Sequence, residues 1–192
     1  SVEGVTRPLP EPFLVLATQN PIEYEGTFSL PEAQLDRFLL RLRIGYPRAG
    51  AERRIAARYA ASAEPLEAVS TVLTADRIAS LREGARVVRV AEELTDYLVA
   101  IVVATRERAD IELGASPRAS VALYRAAQAA AFIEGRDFVR PDDIRAIVPA
   151  VLGHRLRVDL DSSLHGATAD RILADIVAGV PVPVDPAYDR AG

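Results

Sequence analysis

Apolar residues fall in two different rhythms along the chain, and the change of rhythm divides it. Near the N-terminus come unbroken apolar runs, first Phe13-Leu14-Val15-Leu16-Ala17 and then Phe38 to Ile44. Runs of that length without alternation predict strands buried on both faces. The first run stops at a polar tip, Thr18-Gln19-Asn20, before Pro21. Polar tips at the carboxyl ends of such strands are where open α/β folds place ligand chemistry. Between the runs, Pro31 suits a first helical position and Glu32 complements the positive helix end, which predicts one or two turns ending near Arg37. Ahead of the first run, Val2 and Val5 flank Glu3-Gly4, the pattern of a hairpin turn, and Arg7 to Pro12 leads onward extended.

After Pro47 the rhythm becomes helical. Ala49 to Ala61 has a helical composition with Ile55 and Tyr59 on one face, Glu64-Pro65 breaks it, and Thr74-Ala75-Asp76 offers caps for a helix to about Gly84. Ala91 to Arg108 carries Leu94, Tyr97, Leu98 and Ile101 as a stripe; Pro117 to Glu134 carries Val121, Tyr124, Ala127 and Ala131, with Gly135 closing it. Pro141 to Leu152 presents Ile144, Ile147, Val148 and Val151. Leu156, Val158 and Leu160 alternate as in an extended piece, Thr168 to Ala178 forms a last helix on Ile172, Leu173, Ile176 and Val177, and Val180 to Pro186 is an extended tail. The expected organisation is an α/β portion over residues 1–47 and an all-α bundle over residues 48–192.

Composition narrows the chemistry. The chain has no cysteine, which excludes disulfides, thiol catalysis and Cys-based zinc sites. Its two histidines, His154 and His165, show no metal-ligand spacing, and a net charge of −4 gives no argument for nucleic acid. No apolar run approaches the roughly 20 residues of a membrane span and no signal-peptide pattern is present, so a soluble cytoplasmic protein is expected. All 23 basic residues are arginine, so the chain contains no P-loop lysine; nor does an Asp-Glu pair follow an apolar run. With no methionine, Ser1 is not an ordinary start, and the sequence is expected to begin inside a domain.

Arg118 stands out on local physics. Ser116 is a good N-cap, Pro117 fits the first helical position, and Arg118 then falls in the first turn, the wrong end of a helix for a cation. Converging positive charge suits an anion such as phosphate; the competing role is a side chain reaching solvent or Glu112. Asn20 followed by Pro21 also reads locally as a turn start. Arg37 at a helix C-terminus is favourable with the dipole and has Asp36 and Glu32 as candidate partners. Asp142 and Asp143 are helix-start residues, His154 a group at a helix C-terminus, and His165 a loop residue.

The run ATQNPIEYEGTFSLPEAQLDRFLLRL resembles the second half of the ATPase core in the MoxR branch of the AAA+ ATPases, and Leu113-Gly114-Ala115-Ser116-Pro117-Arg118-Ala119-Ser120 resembles the same family's sensor-2 motif. The resemblance implies a remnant of a P-loop AAA+ core (two buried strands, a hairpin and a short helix) followed by a helical lid. It implies Asn20 as sensor 1, orienting the attacking water, and Arg37 as the arginine finger reaching ATP in the neighbouring subunit. Arg118 becomes sensor 2, on the nucleotide phosphates. A finger of this kind is worth about 10³–10⁵ in rate. The intact protein is then expected to use ATP and Mg²⁺ in a ring, as a hexamer, to remodel or mature client proteins with von Willebrand factor A domain partners. This chain alone is expected to be inactive. The alternatives are a non-catalytic oligomerisation or partner-binding module, and a magnesium-chelatase-type subunit.

Overall fold

The computed structural model describes residues 6, 8–19, 30–60 and 69–183. In chain order its elements are α1 (Glu32–Leu35), α2 (Ala49–Ala60), α3 (Ala75–Arg86), α4 (Glu92–Ala104), β1 (Ile111–Leu113), α5 (Pro117–Ile133), α6 (Pro141–Leu152), β2 (Arg157–Val158), α7 (Leu160–Leu164) and α8 (Ala169–Gly179). They group into two compact units, Ser1–Leu16 with Leu42–Leu81, and Ala17–Arg41 with Arg82–Gly192.

The first unit holds α2 and the first turns of α3. Helix α2 follows from its Ala, Arg and Glu content, but Ile55 and Tyr59 remain 48% and 68% exposed. The predicted hairpin lies largely outside the described residues.

Neither apolar run forms a strand. Residues 13–17 and 38–44 have no ladder partner among the described residues, and Leu14, Leu16 and Ile44 are largely exposed. A buried strand is completed by hydrogen bonds from neighbours on both sides, and the described part of the chain supplies none. The expected two-stranded core remnant is corrected accordingly; of it, the short helix α1 is present.

The second unit is a helical bundle. Helix α5 packs against α6 and α4, and α8 against the same two. Leu94, Leu98 and Ile101 of α4 meet Leu123 and Ala127 of α5, Ile144 and Val148 of α6, and Leu173 of α8 in one buried cluster. The α4 stripe and the bounds of α6 match the sequence reading. On α5 the reading holds for Ala127 and Ala131, which are buried, and for Tyr124, which packs against the core, but not for Val121, which is 52% exposed while Ala122 and Leu123 are buried. In an alanine-rich helix apolar residues occur on every side, so periodicity does not choose the buried one. Helix α5 ends as Gly135 implied, with φ +73°, its N–H on the Phe132 carbonyl and that of Arg136 on Ala131, the paired bonds of a Schellman ending.

Strands β1 and β2 pair antiparallel, Ile111 opposite Val158 and Leu113 opposite Arg157. The alternation at Leu156 to Leu160 thus holds only for Arg157–Val158. Leu160 instead starts α7, because the Asp159 carboxylate accepts the Ser162 N–H at 3.1 Å and caps a new turn. Gln128, buried on α5, donates from Nε2 to the carbonyls of Arg86 and Val88 at 3.1 and 2.8 Å, fixing the α3–α4 connection to the bundle.

Candidate functional site

Helix α1 ends at Asp36, and its carboxylate organises the surrounding groups. The Ser116 hydroxyl donates to both Asp36 oxygens, at 3.1 and 3.0 Å, and Arg155 Nε donates to Oδ1 at 3.1 Å. Ser116 occupies the N-cap position of α5 but makes no side-chain cap bond. Its hydroxyl serves Asp36 instead, which corrects the expected cap. Pro117 is the first residue of α5 as anticipated, and Arg118 follows.

The loop that delivers Arg118 is pinned from behind by the end of α4. The buried Thr105 hydroxyl accepts the Ala115 N–H at 3.0 Å and donates to the Val102 carbonyl at 2.6 Å. Arg106 Nε donates to the Ala115 carbonyl at 2.8 Å. Gly114 must lack a side chain here, since a Cβ would stand 2.8 Å from Arg106 Cα and from the Thr105 oxygen. Backbone and side chain together fix where α5 begins.

On the other side, residues 36–41 lie along the C-terminal end of α6. Arg41 N–H donates to the Ala150 carbonyl at 2.9 Å and Arg41 Nη2 to Gly153 at 3.3 Å. His154 Nε2 is 3.3 Å from the Phe38 carbonyl, and its Nδ1 is buried with no partner among the described residues. Burial holds the His154 imidazole below its ordinary value, and the Arg155 and Arg41 guanidinium groups push the same way. Of the two forms open to a histidine at a helix C-terminus, cation or neutral donor, burial favours the neutral one.

The carboxylates that the sequence offered to the two candidate arginines are engaged elsewhere. Arg157 bridges Glu32 at 2.9 Å and Glu112 at 2.8 Å, and Asp36 serves Ser116 and Arg155. Arg37 and Arg118 are exposed, and neither side chain has a hydrogen-bond or ion-pair partner among the described residues. The charge of Arg118 is felt at Arg155, whose pKa is lowered chiefly by burial, with Arg118 adding to the effect against the opposing pull of Asp36. The Asp36–Ser116 bond sets the turn of Arg37 beside the turn of Arg118, at the positive end of a 17-residue helix. Asn20 lies outside the described residues.

Two uncompensated guanidinium groups at a helix N-terminus fit phosphate oxygens. Magnesium does not fit these residues: no three His, Asp or Glu side chains gather to hold a metal among those described. Sequence reasoning missed Arg155. An arginine just after a helix is expected on dipole grounds alone, so nothing local marked it; Asp36 was visible only as a possible partner for Arg37. His165, read as a loop residue, donates its Nδ1–H to the Asp161 carbonyl at 2.8 Å and closes α7.

Two family models match the chain, one near its N-terminus and one over the helical bundle. Residues 1–40 match the ATPase family associated with various cellular activities (AAA), and residues 103–176 match the AAA lid domain. Protein YeaC of Bacillus subtilis is 42% identical over 184 residues, 96% of this chain and 57% of its own length. Chaperone MoxR1 of Mycobacterium tuberculosis is 42% identical over 186 residues, 92% of this chain and 47% of its own. A crystal structure from Cytophaga hutchinsonii superposes with a TM-score of 0.86 at 32% identity, covering 96% of this chain and 58% of that one. The chain spans about half the length of the curated relatives it matches. With both the core and the lid matched in order along its length, the chain belongs to the MoxR family of AAA+ ATPases.

Proposed function

We propose that this chain provides the phosphate-sensing side of an ATP-hydrolysing ring that remodels or matures client proteins. In this reading residues 1–47 complete a nucleotide-binding core and residues 48–192 form its lid. Asn20 acts as sensor 1, Arg37 as the arginine finger and Arg118 as sensor 2. The observation that carries it is the pair of exposed arginines on adjoining turns, left without counter-charge while Glu32, Asp36 and Glu112 are all engaged. Asp36 links the two turns; Arg37 reaches the ATP of the neighbouring subunit, and Arg118 meets the nucleotide phosphates from the lid. ATP and Mg²⁺ enter as cofactors of the complete protein, the metal held by residues other than those described. A hexameric ring in the cytoplasm, with von Willebrand factor A domain partners, completes the proposal. No helix among the described residues is long and apolar enough to cross a membrane.

The name chaperone borne by the Mycobacterium tuberculosis relative supports the client-remodelling part, and magnesium-chelatase subunits are more distant relatives. The exposed apolar residues at Phe13 to Leu16 suit a surface covered by another part of such a core. A bare partner-binding module would show that surface equally, but it gives no reason for the two uncompensated arginines. The test is ATP turnover. The 192-residue chain alone is expected to give none, whereas in the complete gene product Arg37→Ala lowers kcat by about 10³-fold or more. Turnover by the isolated chain, or an Arg37→Ala protein with wild-type kcat, overturns the reading.

A further inference from the structure

Arg155 is the most completely hydrogen-bonded side chain among the described residues of the second unit. Its side chain is 1% exposed, and a guanidinium carries five N–H donors. Every one is directed at an acceptor. Nε donates to Asp36 Oδ1 at 3.1 Å; one Nη donates to Leu39 O at 3.2 Å and to Val151 O, the other to Asp36 O at 3.2 Å and to Phe38 O. Three of these acceptors are backbone carbonyls of a single short segment. Those of Asp36 and Phe38 lie on either side of Arg37.

Burying a guanidinium is costly unless its donors are satisfied. What the burial accomplishes is local: it fixes the peptide groups before and after Arg37 to the C-terminal end of α6. The exposed Arg37 side chain has no hydrogen-bond or ion-pair partner among the described residues to hold it. The aim of its guanidinium then depends on its backbone, and its backbone depends on Arg155.

We propose that Arg155 is the positioning residue of Arg37, presetting the finger's backbone from within the lid so that lid and finger move as one piece. The inference rests on reading Arg37 as the finger. Lysine at position 155 retains the charge but has three donors on one atom instead of a planar fork of five, so it cannot serve the Asp36 carboxylate and the carbonyls of Asp36, Phe38, Leu39 and Val151 together.

The test is a double-mutant cycle in the complete ATP-hydrolysing gene product. Arg155→Lys is expected to lower kcat about 10- to 100-fold while KM for ATP changes less than about twofold. Placed on Arg37→Ala, it is expected to lower kcat no further. Equal losses in both backgrounds, or wild-type kcat in Arg155→Lys, overturn the proposal while leaving the finger reading intact. Wild-type kcat in Arg37→Ala alone removes the finger reading and the proposal with it. Should Arg155→Lys fail to fold, Asp36→Asn takes the charge out of the Asp36–Arg155 bond while keeping an Oδ1 that can accept from Arg155 and Ser116, and the same dependence on Arg37 decides the matter. Hydrogen exchange on the 192-residue chain gives an activity-free readout. Arg155→Lys should speed exchange of the Arg41 amide, bonded to Ala150, without doing so for amides within α4; unchanged protection at Arg41 also counts against the proposal.

Discussion

The Asp36 carboxylate and the Arg155 guanidinium are 3.1 Å apart, with the arginine side chain 1% exposed and the aspartate 26%. Removing one member of such a pair leaves the other charge buried without compensation. Asp36→Ala should therefore destabilise the chain by about 3 kcal/mol. Ser116→Ala, which deletes a hydrogen bond at a half-buried site, should cost about 1 kcal/mol. Urea denaturation of the two variants side by side measures the difference, and equal midpoints would contradict the hierarchy.

Gly114 and Gly135 should respond to alanine for different reasons. At Gly114 a methyl group meets the backbone of Arg106 at 2.8 Å, so the chain has to shift. Gly114→Ala is expected to cost about 1–3 kcal/mol and to weaken nucleotide contact through displaced Ser116 to Arg118. At Gly135 space is open and only the positive φ of 73° opposes a side chain. Gly135→Ala should cost about 1 kcal/mol and leave ATP turnover of the complete protein unchanged.

Leu123 is fully buried at the meeting of α4, α5 and α6. Leu123→Ala should cost about 2–5 kcal/mol. Val121→Ala, two residues earlier at a side chain 52% exposed, should cost less than about 0.5 kcal/mol. Thermal unfolding distinguishes the two, and a reversed order would mean that α5 is rotated from the orientation described.

His154 sets a pH dependence. Its folded pKa is held below the ordinary value by burial and by Arg155 and Arg41, so below about pH 6.5 the unfolded chain takes up a proton that the folded chain refuses. The unfolded state then binds more protons, and stability rises with pH across that window and falls on acidification. Denaturation midpoints should decline as pH drops from about 7 towards 5, and His154→Asn should flatten that part of the curve.

What could be read from the sequence was what is decided locally. Pro141 and Asp143 announced the start of α6, Gly135 the end of α5, and Leu94 to Ile101 the buried stripe of α4, because each depends on neighbours within a turn or two. Phe13 to Ala17 and Phe38 to Ile44 had the composition of strands, but a strand is a property of its partners, and the described residues contain none. Arg118 was legible because a cation in the first turn of a helix conflicts with the local field. Arg155 was not: its contacts lie 116 to 119 positions away in sequence, apart from the one to Val151. A separation of 80 positions likewise hid Asp36 from Ser116 and let a competent cap residue be drawn to a different acceptor.

The Thr105 hydroxyl, which both accepts from Ala115 and donates to Val102, limits which substitutions this lid can absorb. Valine would match its shape yet strand the Ala115 amide in an apolar interior, at about 1–3 kcal/mol, whereas serine would keep both bonds and leave only a methyl-sized gap. A variant library selected for folding should therefore keep a hydroxyl at position 105 even where the residues around it drift, and the start of α5 would drift with any member that lost it.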